Sequence, residues 1–224
     1  MGYSIPEIRR LILKNIYKYN IRGERLLDIG GGTGELTINI AKAAKAKEVH
    51  IIDIDRYALA KAKEQGLHTY ALDASRDRFP FPDDCFDIVT SIETIEHLQD
   101  PDHCLTEVKR VLKPGGYFIV STPNLAWWVN RLALLFGYQP YFSEPSSRIN
   151  VGKAFRKPSP YKPSGHVRLL TYKALKDLLR YYGFKILVIK GSPGHHHMKL
   201  LCLVDNVFSL IPALAAEILV IAQK

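Results

Sequence analysis

A glycine-rich turn is the first feature of the sequence whose residues are suited to binding chemistry. In LLDIGGGTGEL, Gly30, Gly32 and Gly34 lie between a predicted strand and a predicted helix. Backbone can approach a ligand closely there, because glycine has no side chain and tolerates positive φ. The dinucleotide pattern G-x-G-x-x-G requires a third glycine where Glu35 stands, and no G-K-[ST] follows. Glu35 competes with a phosphate for the helix N-terminus, so a cationic or zwitterionic ligand is favoured.

A carboxylate follows at the end of the next predicted strand. Asp53 ends the apolar run of HIIDID, about 20 residues beyond the glycine turn. From this position in an alternating α/β fold, a carboxylate accepts hydrogen bonds from both hydroxyls of a ribose. The glycine turn and Asp53 together predict a nucleoside ligand.

Two acids and a histidine follow a later predicted strand. In SIETIEHL, Glu93, Glu96 and His97 have the spacing i, i+3, i+4, so in a helix they share one face at the sheet edge where ligands bind. Two carboxylates and an imidazole are suitable ligands for a hard divalent cation. Two simpler interpretations stay open. His97 is a metal-free base, or Glu93 is a carboxylate placed favourably near a helix N-terminus.

The elements that position these residues alternate between strand and helix. Apolar periodicity from Ile8 to Tyr19 predicts an amphipathic opening helix. Alternating β and α segments predict a parallel sheet. The predicted strands are 26–29, 49–52, 69–72, 86–90, 117–121 and 185–189, the predicted helices are 35–46, 57–65, 102–112 and one capped by Thr171, and a last helix and strand end at Ala222.

The alternation of predicted strands and helices stops between Pro123 and Leu170. This stretch holds six of the 13 prolines and seven Lys or Arg residues against one acid, Glu144, and we interpret it as an inserted lid.

A second unusual segment is Gly194 followed by three histidines, 195–197. Neighbouring side chains of an extended segment face opposite ways, so a loop is favoured there over a metal site. A contact of this loop with an acceptor stays open.

Composition limits the class of protein. Hydrophobic residues make up 47% and charged residues 24% of the 224 residues, which is typical of a globular chain and excludes intrinsic disorder. The net charge of +9 favours anionic partners. Three cysteines without a C-x-x-C pair fit a reducing compartment, and we expect no signal peptide and no membrane span. A cytoplasmic location is therefore expected.

The motifs, taken in order, resemble those of a known family. DIGGGTG, IID, ALDAS, FPFPDDCFDIV, EHL, RVLKPGG and STPN are similar to class I S-adenosylmethionine-dependent methyltransferases. The resemblance covers roughly residues 25 to 125, with a weaker GHVR, helix and GF match at 165 to 184. It implies a single α/β domain over residues 1–224, with an N-terminal helix at 1–22. The fold expected is a doubly wound, Rossmann-like sheet of seven mostly parallel strands, with an antiparallel last strand and the lid of residues 123–170 after the fifth strand.

The same resemblance implies a binding role for individual residues. S-adenosylmethionine is the implied cofactor. Its methionine part is assigned to the first motif, its ribose and adenine to the next two, and one wall of the site to the fourth strand. The residues are Asp28, Gly30, Gly31, Gly32 and Gly34 for the first motif, Asp53 and Ile54 for the second, Asp73 and Ala74 for the third, and Ser91 for the wall. Gly31 departs from the family, which often has cysteine there.

The Glu-x-x-Glu-His run resembles a narrower group. It is similar to ubiquinone-biosynthesis O-methyltransferases and small-RNA 2′-O-methyltransferases, whose metal binds the acceptor hydroxyl and lowers its pKa. The resemblance implies Mg²⁺ on Glu93, Glu96 and His97, with His166 as a further ligand that the spacing does not fix. It also implies His97, Glu96 and His166 as catalytic groups on the acceptor side.

The lid gives the only sequence indication of the acceptor. Trp127, Trp128, Leu132, Leu135 and Phe136 precede the basic cluster, which predicts a pocket with an apolar wall and a positive mouth. A buried packing helix with solvated lysines explains the same residues equally well. The predicted function is O-methylation of a small, anionic or lipid-linked acceptor, with RNA as the second choice. The alternatives of another class are a non-catalytic S-adenosylmethionine-binding protein and a peripheral membrane module that uses Leu125 to Phe136.

Overall fold

A computed structural model describes residues 6–154, 159–160, 163–194 and 199–224 of the chain. Within these ranges the chain forms alternating helices and strands. The helices are α1 (Pro6–Lys18), α2 (Glu35–Ala44), α3 (Arg56–Glu64), α4 (Pro101–Val111), α5 (Trp128–Leu135), α6 (Tyr172–Tyr181) and α7 (Lys199–Ser209). The strands are β1 (Arg25–Ile29), β2 (Glu48–Asp53), β3 (His68–Ala71), β4 (Phe86–Ile92), β5 (Leu112–Pro123), β6 (Ile149–Asn150), β7 (Ser159–Pro160), β8 (Lys185–Ser192) and β9 (Glu217–Gln223).

Seven of the strands form one twisted sheet in the order β3-β2-β1-β4-β5-β9-β8. The pairs among β1 to β5 are parallel, whereas β9 is antiparallel to both β5 and β8. The predicted doubly wound sheet with an antiparallel last strand is confirmed. The strand order reverses beside β1, and ligands of such sheets bind at the carboxyl ends of the strands at that point.

The core lies on both faces of the sheet. Successive residues of a strand point to opposite faces, so Leu26 and Leu27 of β1 belong to different hydrophobic clusters. One cluster receives α4 and α6 through residues such as Leu105 and Leu175. The other receives α1 and α2 through residues such as Ile12 and Ile40. This packing holds the carboxyl ends of β1, β2 and β4 in fixed positions, where the functional residues lie.

The segment after β4 does not form the helix that would place Glu93, Glu96 and His97 on one face. Only Ile95–His97 forms a short 3-10 turn, and Glu93 lies before it with a φ of 51°. The helical spacing expected for Glu93, Glu96 and His97 is therefore absent, and tertiary contacts place these side chains instead. The predicted cap of α6 is confirmed, since Thr171 Oγ1 accepts a hydrogen bond from the Ala174 N–H. None of the described helices has the length and apolar character needed to cross a bilayer.

Candidate active site

The glycine turn joins β1 to α2 through left-handed backbone. Gly30, Gly32 and Gly34 have φ values of 74°, 54° and 81°. A Cβ on Gly30 would lie 2.3 Å from Thr94 Oγ1, and one on Gly34 would lie 2.4 Å from Leu67 Cδ1. A Cβ on Gly32 would meet no atom within 4 Å. Packing thus explains two of these glycines, while Gly32 leaves open space beside a cleft.

Asp28 lies in β1 just before the glycine turn and is held by hydrogen bonds to neighbouring elements. It is buried in β1, and its carboxylate accepts hydrogen bonds from Thr37 Oγ1 at 2.5 Å and Thr90 Oγ1 at 2.6 Å. Burial raises the pKa of Asp28 to about 6, although the two hydroxyl hydrogen bonds lower it. A Cβ on Gly31 would lie 2.9 Å from Asp28 Oδ2, so glycine at this position leaves room for the carboxylate.

Asp53 ends β2, as the sequence predicts, and contacts the glycine turn directly. Its Oδ2 accepts a hydrogen bond from the Gly32 N–H at 2.8 Å, and its Oδ1 accepts one from the Asp55 N–H at 2.8 Å. The next side chain, Ile54, is 73% exposed. A carboxylate and an exposed apolar side chain therefore lie together beside the bare backbone of the turn.

The third predicted motif forms a tight turn after β3. Asp73 Oδ1 accepts a hydrogen bond from the Ser75 N–H at 2.9 Å, and Arg76 lies 3.1 Å from its Oδ2. Ala74 is buried beneath it. Ser91 is also buried, with a hydroxyl that has no hydrogen-bond partner among the described residues.

A cleft of about 730 Å³ connects these motifs. This volume is in the range of cofactor and small-molecule sites. The cleft is lined by predicted residues of both the cofactor and the acceptor side, namely Asp28, Gly30, Gly31, Gly32, Asp53, Ile54, Asp73, Ala74, Glu93 and His97. Gly34 and Ser91 are not among its lining residues. Gly34 instead precedes α2 as its N-cap, and Ser91 lies within β4.

Two carboxyl groups lie at the end of the cleft that carries His97, with Glu93 in the lining and Glu96 outside it. Glu93 accepts a hydrogen bond from Ser121 Oγ at 2.7 Å, and burial raises its pKa to about 7 in spite of that bond. Glu96 is fully buried, and its Oε2 accepts a hydrogen bond from Thr122 Oγ1 at 3.0 Å. Burial, and then the neighbouring Glu93, raise the pKa of Glu96 well above its ordinary value. Each group therefore holds a proton more readily than an exposed glutamate.

The two predicted histidines meet at the same place. Their ring centroids are 5.0 Å apart. Nδ1 of His97 lies 3.1 Å from the Gly165 carbonyl oxygen, and Nδ1 of His166 lies 3.1 Å from the Phe142 carbonyl oxygen. A carbonyl only accepts hydrogen bonds, so Nδ1 of each ring donates the hydrogen bond, and Nε2 of a neutral His97 keeps a lone pair.

Burial also sets the charge of His97. Desolvation lowers its pKa below 6.5, and His166 adds to this effect, although the Gly165 carbonyl opposes it. His97 is accordingly neutral at pH 7. An imidazole of this kind, lining a ligand cleft with a free Nε2, can accept a proton from a bound molecule.

Glu144, the one acid of the inserted segment, positions the histidine loop. Its carboxylate accepts hydrogen bonds from the N–H groups of Ser164, Gly165 and His166 at 2.7 to 3.0 Å. Burial opposes its ionisation, but these donors outweigh burial and hold the pKa of Glu144 below its ordinary value. Residue spacing does not reveal this positioning role, because the partners of Glu144 are 20 or more positions away.

One group of three side chains among the described residues is close enough to share a metal ion. Glu96, His97 and His166 each place one ligand atom within 4.8 Å of the others. Glu93 is not part of this group, so the set differs from the predicted Glu93, Glu96 and His97. The histidines at 195–197 lie outside the described residues.

A match to a protein family decides which family the chain belongs to. Residues 3–188 match the family described as a methyltransferase domain. The chain belongs to the class I S-adenosylmethionine-dependent methyltransferases.

Relatives and solved structures agree with this family. The methyltransferase is 37% identical over 105 residues to the ubiquinone/menaquinone biosynthesis C-methyltransferase of Vibrio vulnificus, covering 44% of this chain and 40% of that protein. It is 37% identical over 110 residues to the chloroplastic 2-methyl-6-phytyl-1,4-hydroquinone methyltransferase of Arabidopsis thaliana, covering 48% of this chain and 32% of that protein. The matches thus span less than half of these curated relatives. A methyltransferase structure from Thermotoga maritima superposes with a TM-score of 0.64 at 21% identity, over 96% of this chain and 89% of that one, and shows the common fold.

The structure adds an acid that the sequence analysis missed. Glu217 begins β9 and is buried, and its Oε2 has no hydrogen-bond partner among the described residues. Burial, and then Glu93 and Glu96, raise its pKa well above the ordinary value. A carboxylate opening an otherwise apolar strand was the only sequence signal. The methyltransferase therefore carries three interacting carboxyl groups at the end of the cleft where His97 lies, and Glu93 is the one that lines it.

Proposed function

We propose that this methyltransferase transfers a methyl group from S-adenosylmethionine to a hydroxyl of a small acceptor, with His97 as the base. The observation that carries the proposal is the neutral His97 imidazole, which lines the cleft and whose Nε2 makes no hydrogen bond among the described residues, while Nδ1 is bound to the Gly165 carbonyl. Bound S-adenosylmethionine supplies an electrophilic methyl group, so the protein has to align the acceptor and remove a proton. The acceptor oxygen would gain the methyl group as the sulfur–methyl bond breaks to leave S-adenosylhomocysteine, and the hydroxyl proton would pass to His97 Nε2.

The acids behind His97 support this role. Glu96 Oε1 lies 3.8 Å from His97 Nε2 and has no hydrogen-bond partner among the described residues. In its ionised form, a carboxylate at this distance favours the imidazolium that forms when His97 accepts a proton. We therefore assign Glu96 and His166 a supporting role beside His97, and His97 alone the role of the base.

The cofactor half of the cleft is assigned in the same proposal. The backbone around Gly32 receives the amino-acid part of S-adenosylmethionine, Asp53 the ribose hydroxyls, and Ile54 and Asp73 the adenine. Support comes from the open space at Gly32, the carboxylate beside it and the exposed Ile54 side chain. A nucleoside placed there points its reactive end toward Glu93 and His97, which line the other part of the same cleft.

A second candidate reaction is methylation of a ring carbon. The names of the two relatives specify a ubiquinone/menaquinone C-methyltransferase and a hydroquinone methyltransferase. Removal of a phenolic proton by His97 increases electron density on the oxygen and on the neighbouring ring carbons alike. The same site is consequently compatible with transfer to oxygen or to carbon of a hydroquinone.

The test of the proposed function is incubation of the protein with methyl-labelled S-adenosylmethionine and a cell extract separated into organic, aqueous and RNA fractions. We expect label in a small molecule, and mass spectrometry with base treatment to distinguish an ether from a ring methyl group. Label confined to RNA would favour the second-choice acceptor of the sequence analysis. No label in any fraction, together with no binding of S-adenosylhomocysteine, contradicts the proposal.

Replacement of Asp53 by alanine is expected to weaken binding of S-adenosylhomocysteine by about 1 to 3 kcal/mol, because hydrogen bonds to a charged acceptor are lost. Isothermal titration calorimetry measures the change. Asp83→Ala is the matched control, since the Asp83 side chain is 69% exposed and pairs with Arg110. Equal affinities of wild type and Asp53→Ala would remove Asp53 from the proposed cofactor site.

Methyl transfer is expected to continue after divalent metal ions are removed. The three side chains that come together, Glu96, His97 and His166, offer two nitrogens and one carboxylate. Mg²⁺ prefers an octahedron of oxygen ligands, which this set does not supply. The measurement compares activity after EDTA treatment and gel filtration with activity after Mg²⁺ or Mn²⁺ is restored. Loss of activity that either ion reverses would replace the metal-free base with a metal-assisted reaction.

A further inference from the structure

Helices α5 and α7 have their polar and apolar faces in the reverse of the usual arrangement. The buried residue of α5 is Asn130, and the buried residues of α7 are Asp205 and Ser209. Large apolar side chains of both helices and the residues just after them are exposed instead, among them Leu134, Leu135, Phe136, Leu203, Val207 and Leu210. We call this set the apolar face. Leu135 is 74% exposed and Leu210 is 80% exposed, so hydrophobic area on two adjacent helices is left in contact with water.

Buried polar contacts fix this orientation. Asp205 Oδ1 accepts hydrogen bonds from the indole Nε1 of Trp127 at 2.7 Å and of Trp128 at 2.5 Å. Its Oδ2 accepts a hydrogen bond from the Gly194 N–H at 2.5 Å. Trp128 also stacks on Phe208, with ring centroids 5.1 Å apart. Rotating α7 to bury its leucines would break these bonds, so the apolar face is a built feature of the fold.

The spacing makes the apolar face continuous along α7. Leu200, Leu203, Val207 and Leu210 follow one another by three, four and three positions, which places them on one side of a helix. On α5, Leu132 and Leu135 lie three positions apart and so share one side of the helix, where both are exposed. Trp128 of α5 stacks on Phe208 of α7, so the two helices lie side by side and each carries exposed apolar side chains.

The charge of the surrounding sequence selects the partner. In residues 124–143 and 199–216 the one acid is Asp205, which is buried, whereas Arg131 and Lys199 are basic and exposed. Residues 123–170 as a whole carry seven Lys or Arg against one acid, and the chain carries a net charge of +9. An apolar surface with positive and no negative exposed charge is complementary to anionic lipid headgroups over an apolar interior. Two copies of such a basic chain repel one another instead.

We propose that the apolar face of α5 and α7 docks on the surface of an anionic lipid bilayer. The contact is peripheral, because the two helices lie along the surface with their polar side held by the protein. Both helices adjoin the sheet edge that carries the cleft, since α5 follows β5, α7 precedes β9, and Pro123 of β5 pairs with Glu217 of β9. If the proposed function holds, docking brings the acceptor side of the cleft near lipids, which favours an acceptor with a lipid tail.

The test is flotation of the full chain with vesicles of phosphatidylcholine containing phosphatidylglycerol, and with vesicles of phosphatidylcholine alone. Wild-type protein is expected to float with the anionic vesicles and to bind the neutral ones more weakly. Leu203→Gln with Leu210→Gln is expected to lower the bound fraction by about tenfold or more, because two exposed leucines no longer enter the bilayer. Tyr181→Gln, which alters an 83% exposed side chain on α6, is the matched control and is expected to bind like wild type.

Folding of each variant is checked by its thermal transition and its affinity for S-adenosylhomocysteine, which are independent of lipid. Failure of wild-type protein to float with either vesicle overturns the proposal, whatever its methyltransferase activity. Analytical ultracentrifugation gives the second decisive result. A wild-type dimer that the double leucine variant converts to a monomer, without lipid binding, would identify a second copy as the occupant of the apolar face.

Discussion

Replacement of His97 by alanine is expected to lower turnover by about 10² to 10⁴-fold, the usual contribution of a general base. Binding of S-adenosylhomocysteine is expected to persist, because His97 lies on the acceptor side of the cleft. Its Nε2 is free to accept a proton, and burial keeps the ring neutral by lowering its pKa. Turnover is measured as formation of labelled product, and binding by calorimetry. His68→Ala, on the exposed edge strand β3, serves as the control.

The pH profile separates His97 from Glu93 as the base. A base loses activity when it becomes protonated, so kcat/KM falls on the acid side of its pKa. With His97 as the base, the fall occurs below 6.5, since its pKa is lowered. With Glu93 as the base, the fall centres near the Glu93 pKa of about 7 and disappears in Glu93→Gln. Full activity of His97→Ala would reject the assignment of His97 outright.

Replacement of Gly30 by alanine is expected to lower the free energy of unfolding by about 3 kcal/mol, combining left-handed strain with overpacking. The φ of Gly30 is 74°, and the new Cβ would lie 2.3 Å from Thr94 Oγ1 and 2.6 Å from Thr94 Cγ2. A β-branched side chain cannot move both atoms away by one rotation. Urea denaturation measures the change.

A matched control isolates the two causes. Gly115 has a φ of 75°, and a Cβ there would meet no atom within 4 Å, so Gly115→Ala reports the backbone strain alone, about 1 kcal/mol. Thr94→Ala combined with Gly30→Ala is expected to recover part of the loss. Equal destabilisation by Gly30→Ala and Gly115→Ala would show that Thr94 does not constrain the turn.

Much of the fold and of the cofactor half of the site follows from local sequence. The alternation of strand and helix predicts the parallel sheet, and carboxyl ends of parallel strands meet at one edge. The sequence alone therefore predicts that the glycines after β1 lie beside Asp53 at the end of β2. In the structure the Gly32 N–H donates a hydrogen bond to Asp53 Oδ2. Gly34 and Ser91 are the exceptions on this side, because the sequence does not show which residues of a turn or of a buried strand line the cleft.

The acceptor half was decided by contacts between distant segments. His166 reaches His97 because Glu144 holds the loop of residues 164–166 by three hydrogen bonds, and Glu217 joins Glu93 and Glu96 because β9 inserts beside β5. The sequence spacing of Glu93, Glu96 and His97 assumed a helix that the chain does not form.

The sequence by itself thus determined the family and the sheet, and it predicted the residues of the proposed nucleoside side of the cleft, because those depend on strand ends and on turn residues within a few positions of one another. The tertiary structure decided which side chains share the acceptor side and which helix faces point outward. Those features depend on pairing and packing between segments that are far apart in the chain, and on buried polar bonds such as that of Asp205 to the two tryptophans. The spacing of residues along the sequence does not predict such packing or such buried hydrogen bonds.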